Sequence, residues 1–145
     1  MNEATYKGSC LCGVVQFEIT GEPITMTYCH CESCRRWVGA PVMGGCLYKT
    51  DQVQIVKGEQ SLSLFKRSED SGSHRKFCQS CGSALFNEHP SIHLTDVMAT
   101  SIENFAFKPK LHTNYAEKII SMYDGLPKYK DFDPLVGGSG ELLPE

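Results

Sequence analysis

No stretch of the 145-residue chain approaches the ~18 consecutive apolar residues that a membrane-spanning helix needs. The first nine residues carry no apolar core of signal-peptide length. The sequence therefore reads as soluble and cytoplasmic, with no membrane partner. A surplus of positive charge is missing too: the formal net charge is −3. The basic residues nearest the cysteines are Arg35, Arg36, Arg67, Arg75 and Lys76. They read as a solvated rim rather than a pocket for a small anion, and they are too few for a phosphate-binding stripe, so nucleic acid is not an expected partner. Helical periodicity is nearly absent. Only residues 33–38 and 102–107 offer a helical turn or two, which excludes a helix bundle.

What remains is short alternation of apolar and polar residues. Val15, Phe17 and Ile19 alternate with Gln16 and Glu18, and Gly21, Glu22 and Pro23 then turn the chain into residues 24–28. Further strands are predicted at 42–48, 53–56, 61–66, 74–77, 84–87, 92–95 and 111–115. The expected class is mainly β, with many short antiparallel strands. Hydrophobic residues make up 41% and charged residues 21%, the balance of a globular protein. Residues 1–145 read as a single domain whose last part, 134–145, is expected to be a mobile tail.

Eight cysteines are many for a cytosolic chain, and in a reducing compartment clustered cysteines point to metal or redox chemistry before disulfides. Seven fall into three groups: Cys10 and Cys12 as C-x-C, Cys29, Cys31 and Cys34 as C-x-C-x-x-C, and Cys78 and Cys81 as C-x-x-C. In extended backbone, residues i and i+2 share a face, so a C-x-C can present two sulfurs together. The C-x-x-C spacing suits a tight turn, and Gly82 after Cys81 can supply the positive φ that such a turn needs. Thiolates are soft donors, and paired cysteines from distant segments are the signature of four-coordinate zinc, with iron–sulfur ligation a secondary option. Groups of two, three and two cannot fill two four-cysteine sites. Two pairs make one closed site and leave a trio, though spacing alone does not prove which groups join. A trio would hold a second zinc with one position vacant, the arrangement of catalytic zinc.

His30 lies inside the trio and is the alternative fourth ligand, but between i and i+2 ligands in extended chain it points to the opposite face. Cys46 stands alone and reads as a buried strand thiol. Trp37 reads as core packing. His74, His89, His93 and His112 are scattered and receive no assigned role.

The segments Gly8-Ser9-Cys10-Leu11-Cys12-Gly13, Cys29-His30-Cys31-Glu32-Ser33-Cys34-Arg35-Arg36 and Phe77-Cys78-Gln79-Ser80-Cys81-Gly82-Ser83, together with His112, Ala116-Glu117-Lys118 and Asp124-Gly125-Leu126-Pro127, resemble the glutathione-dependent formaldehyde-activating enzyme family, which includes centromere protein V. The resemblance implies a zinc-stabilised, tent-like arrangement of sheets. It also implies the pairing: Cys10, Cys12, Cys78 and Cys81 on a structural zinc, and Cys29, Cys31 and Cys34 on an open, catalytic one. The implied activity is that of a zinc-dependent carbon–sulfur lyase, similar to S-hydroxymethylglutathione synthase, acting on adducts of a small-molecule thiol with an aldehyde. A non-enzymatic zinc module that binds a small thiol or a protein partner is the alternative. One departure is Asn114, where many relatives carry an aromatic residue.

Overall fold

The computed structural model describes residues 3–145. The chain is mainly β, as the alternation implies. Its strands are β1 (Thr5–Ser9), β2 (Gln16–Thr20), β3 (Thr25–Cys29), β4 (Met43–Lys49), β5 (Val53–Lys57), β6 (Leu62–Phe65), β7 (His74–Cys78), β8 (Ala84–His89), β9 (Leu94–Met98) and β10 (Leu111–Thr113). A single α-helix among the described residues, α1 (Glu32–Val38), and several short 3-10 turns complete it. No helix among the described residues is long and apolar enough to cross a membrane. The described residues group into two compact units, one from residues 3–24 with Cys46–Ala106 and the other from Thr25–Gly45 with Phe107–Glu145.

In the first unit β2 pairs antiparallel with β1 and with β5, and β6, β7, β8 and β9 pair antiparallel in that order. Val15, Phe17 and Ile19 are fully or almost fully buried, the face that period-2 alternation assigns to the core. Phe17 meets Phe86 of β8 edge to face, with ring centroids 4.9 Å apart. Burial of each such side chain stabilises the unit, which carries both cysteine loops, by about 1.5–3 kcal/mol. Arg75, expected on a solvated rim, is instead buried on β7. Cys46 is a buried strand thiol on β4, as expected, and burial pushes it up to about 12.

Two other local expectations are corrected here. Residues 102–107 form no helix: Ile102 bridges to Gly8 of β1, and the Phe105 ring packs edge-on against Tyr6. The strand expected at 92–95 starts later, because Pro90–Ile92 form a 3-10 turn and His93 takes the left-handed conformation.

In the second unit β3 lies parallel to β10, with Tyr28 opposite His112 and Cys29 opposite Thr113. This pairing departs from the antiparallel rule of the other paired strands described here. The chain leaves β3 directly into α1, whose N-cap is Cys31 and whose last turn closes on Gly39. Residues 134–145, expected to be a mobile tail, contain a 3-10 turn at Pro134–Val136 and fold back as a bridge of Leu142 to Tyr129. Leu143 donates its N–H to the Lys128 carbonyl at 2.8 Å.

Candidate metal centres

The first unit brings Cys10, Cys12, Cys78 and Cys81 together, with all four Sγ atoms within 4.8 Å of one another. Two loops do this with similar backbone geometry. The Cys10 N–H donates to the Val15 carbonyl at 3.1 Å, and the Cys78 N–H donates to the Ser83 carbonyl at 3.0 Å. Gly82, at φ +78°, supplies the left-handed residue of the second loop, as its place after Cys81 predicts. The Leu11 N–H donates to Ser83 Oγ at 2.9 Å and ties the loops together.

The sulfur spacing separates two chemistries. Cys10 and Cys12 are 3.6 Å apart, and Cys12 and Cys78 are 3.9 Å apart. A disulfide needs about 2.05 Å, and the cysteines are free. Four thiolates about 2.3 Å from one tetrahedral zinc stand about 3.8 Å from each other. The group could therefore hold a metal ion in a closed four-sulfur site. N–H and O–H donors already face the sulfurs: Val15 N–H donates to Cys10 Sγ at 3.3 Å, and the Ser83 hydroxyl lies 3.2 Å from Cys81 Sγ. The Ser83 hydroxyl and N–H pull the Cys81 thiol down to about 5, which favours the thiolate that a metal requires.

The second unit brings Cys29, Cys31 and Cys34 together on the same criterion. Cys29 ends β3, Cys31 caps α1 and Cys34 lies in its first turn, so the strand-to-helix corner itself assembles the trio. Cys29 and Cys34 are buried and 3.6 Å apart, while Cys31 is partly exposed. No fourth His, Cys, Asp or Glu donor among the described residues joins them. Cys31 is the member pulled down, to about 2, by hydrogen bonds from the Cys29 and Cys34 thiols and then from Ser33 and the Cys34 N–H. Hydrogen bonds with Cys29 and Cys31, and then burial, push Cys34 up. The Asn114 amide donates to Cys29 Sγ at 3.6 Å. The trio could hold a metal ion and leave one coordination position for something else.

His30 does not join the three sulfurs, as extended geometry predicts. It is fully buried, and its Nε2 lies 2.8 Å from His112 Nδ1. His112 Nε2 lies 2.7 Å from Asp124 Oδ2, and Asp124 Oδ1 accepts from the buried Lys128 ammonium. Burial holds His30 down to about 4, helped by its neighbour His112. Burial also lowers His112, outweighing the pull of Asp124. Burial works against the Asp124 charge, but Lys128 and His112 together hold its carboxyl well below the usual range. Both rings are thus neutral near pH 7. Sequence reasoning assigned none of these groups a role, although His112 and Asp124 belong to the segments that carry the family resemblance.

A family model described as glutathione-dependent formaldehyde-activating enzyme matches residues 5–117. An uncharacterized lyase of Schizosaccharomyces pombe is 31% identical over 81 residues, 56% of this chain and 56% of that protein. The chain thus spans about half the length of the curated relative it matches. A crystal structure of a Rhodobacter sphaeroides protein, a structural-genomics target, matches with a TM-score of 0.58 at 24% identity, covering 69% of this chain and 90% of that one. That likeness is one of fold.

Proposed function

This chain belongs to the glutathione-dependent formaldehyde-activating enzyme family, and from that premise we propose that it is a zinc-dependent carbon–sulfur lyase whose substrates are adducts of a thiol with an aldehyde, such as S-hydroxymethylglutathione. In the forming direction the thiol sulfur attacks the aldehyde carbon, the carbonyl electron pair moves to oxygen, and the thiol proton ends on that oxygen. Cleavage is the reverse, so atoms and electrons balance without an oxidant or reductant.

The observation that carries the reading is a three-sulfur cluster with no fourth protein donor among the described residues, beside a four-sulfur cluster that is complete. Zinc fits both, because the sulfur separations of 3.6 and 3.9 Å match those around a tetrahedral zinc–thiolate centre. Cys10, Cys12, Cys78 and Cys81 would hold the structural ion, and Cys29, Cys31 and Cys34 the reactive one. Bound at the trio, zinc would supply a Lewis-acid centre that favours a thiolate at neutral pH. The chain's own residues prepare the place. Buried Cys29 and Cys34 anchor it in the unit, and partly exposed Cys31 forms its rim. Three thiolates neutralise a divalent cation and blunt its acidity, and the donors from Asn114, Ser33 and the Cys34 N–H offset part of that charge.

Replacing Cys31 by Ser tests the reading. Turnover of the glutathione–formaldehyde adduct is expected to fall by about two orders of magnitude, with circular dichroism unchanged. Unchanged turnover would leave the trio without a catalytic role.

A further inference from the structure

His30, His112, Asp124 and Lys128 form one continuous hydrogen-bonded row in the second unit. Three of the four are almost wholly buried. The direction of every hydrogen bond in the row can be read from its outer end, because an ammonium only donates and a carboxylate only accepts. Lys128 donates to Asp124 Oδ1 and, at 2.8 Å, to the Leu126 carbonyl. Asp124 Oδ2 is then an acceptor for His112, so the hydrogen of that ring sits on Nε2. His112 Nδ1 is left bare, and His30 Nε2 must donate to it across 2.8 Å. His30 Nδ1 is consequently bare as well, and it is buried with no hydrogen-bond partner among the described residues.

A buried acceptor without a donor is destabilising, so the row is poorly explained as a device for stability alone. Its inner end has a different consequence. His30 separates two members of the trio in the chain, its N–H donates to the Thr113 carbonyl at 3.1 Å, and its carbonyl accepts from Arg35 Nε at 2.8 Å. The ring is packed edge-on against Tyr115 and stacked on His112. Backbone hydrogen bonds and ring contacts thus both hold His30, the residue between Cys29 and Cys31.

We propose that Asp124 and His112 are positioning residues for the cysteine trio: they dictate which nitrogen of His30 carries its hydrogen, and through that ring they hold the Cys29–Cys31 backbone in its metal-binding geometry. Neither ring changes charge in this device. The inference rests on the proposed function only in taking the trio as a zinc site.

Nitrogen NMR of the zinc-loaded protein reads the row directly, with the hydrogen expected on Nε2 of both rings. Asp124→Asn should reverse it. Lys128 retains the side-chain oxygen, so the amide NH₂ faces His112 Nε2, which must become bare. The hydrogens of His112 and His30 then both move to Nδ1. Zinc affinity at the trio, read by chelator competition, is expected to fall roughly 10–100-fold, with the four-cysteine site unchanged. His112→Gln, which can donate to Asp124 and accept from His30, should keep His30 Nδ1 bare and hold the trio zinc at least tenfold more tightly than His112→Leu, roughly the reach of one such orienting contact. The inference is overturned by a wild-type His30 with its hydrogen on Nδ1, by an Asp124→Asn protein whose rings do not swap, or by equal trio affinity in the two His112 variants. A trio that binds zinc and responds to these changes but turns over no adduct refutes the proposed function and leaves this inference standing.

Discussion

Cys78→Ser is the substitution with the most to lose at the four-cysteine site. Cys78 is fully buried, its Sγ is 3.9 Å from Cys12 Sγ, and its N–H closes the loop back to Ser83. Structural zinc in small domains contributes about 10–16 kcal/mol to the folded state, comparable with the whole stability of a domain, about 5–15 kcal/mol. Losing even a third of that, with a buried hydroxyl that a metal no longer satisfies at a cost of about 1–3 kcal/mol, gives at least about 4 kcal/mol of destabilisation. For a chain of this size each kcal/mol shifts Tm by roughly 3–5 °C. The expected outcome is a Tm lowered by roughly 15 °C, or no folded protein at all. Thermal unfolding followed by circular dichroism, with metal analysis of the same samples, measures it. Cys31→Ser under the same conditions is expected to cost only about 1 kcal/mol, because that residue is partly exposed and belongs to the open group. A Cys78→Ser protein melting within about 3 °C of wild type, or equal damage from the two substitutions, would refute the division into a closed and an open site.

Two further outcomes test other links. His30 is held near 4 against about 6.5 in an unfolded chain. Its contribution to stability is therefore complete above pH 6.5 and lost as pH falls toward 4, because the unfolded state takes up the proton first. Urea unfolding at pH 7.5 and pH 5 should show a loss of about 2 kcal/mol that is missing from His30→Gln, and identical losses in the two proteins would contradict it. Gly58 has φ +79°, and a Cβ there would lie 1.9 Å from the Val14 carbonyl oxygen beside the Cys10–Val15 loop. Gly58→Ala should cost more than about 2 kcal/mol in the same assay; a neutral result would mean that the loop moves aside freely.

The sulfur groups were legible in the sequence because zinc-type ligands come in short local pairs, so spacing alone carries them. The core face of β2 was legible for a related reason: Val15, Phe17 and Ile19 keep the period of an extended chain. β1 was missed, since Thr5–Ser9 has only weak alternation and becomes a strand through its pairing with β2. There Gly8 leaves no space for a side chain, with Phe17 and the Ser101 carbonyl passing where a Cβ would stand. Residues 102–107 carry apolar spacing that suits a helical turn. Their side chains are instead taken by partners remote in sequence, Phe105 by Tyr6 and Phe107 by Tyr28. The parallel match of β10 to β3 and the row from His30 to Lys128 join segments more than 80 residues apart, and no local pattern encodes which will meet. That His30 stays out of the sulfur cluster did follow from extended geometry, but its partner did not.

Metal content per chain tests the central claim most directly. Metal analysis of the purified protein, before and after brief exposure to a chelator, should give about two zinc ions per chain, one lost readily from Cys29, Cys31 and Cys34 and one retained by Cys10, Cys12, Cys78 and Cys81. A single zinc ion per chain that resists the chelator would contradict the account.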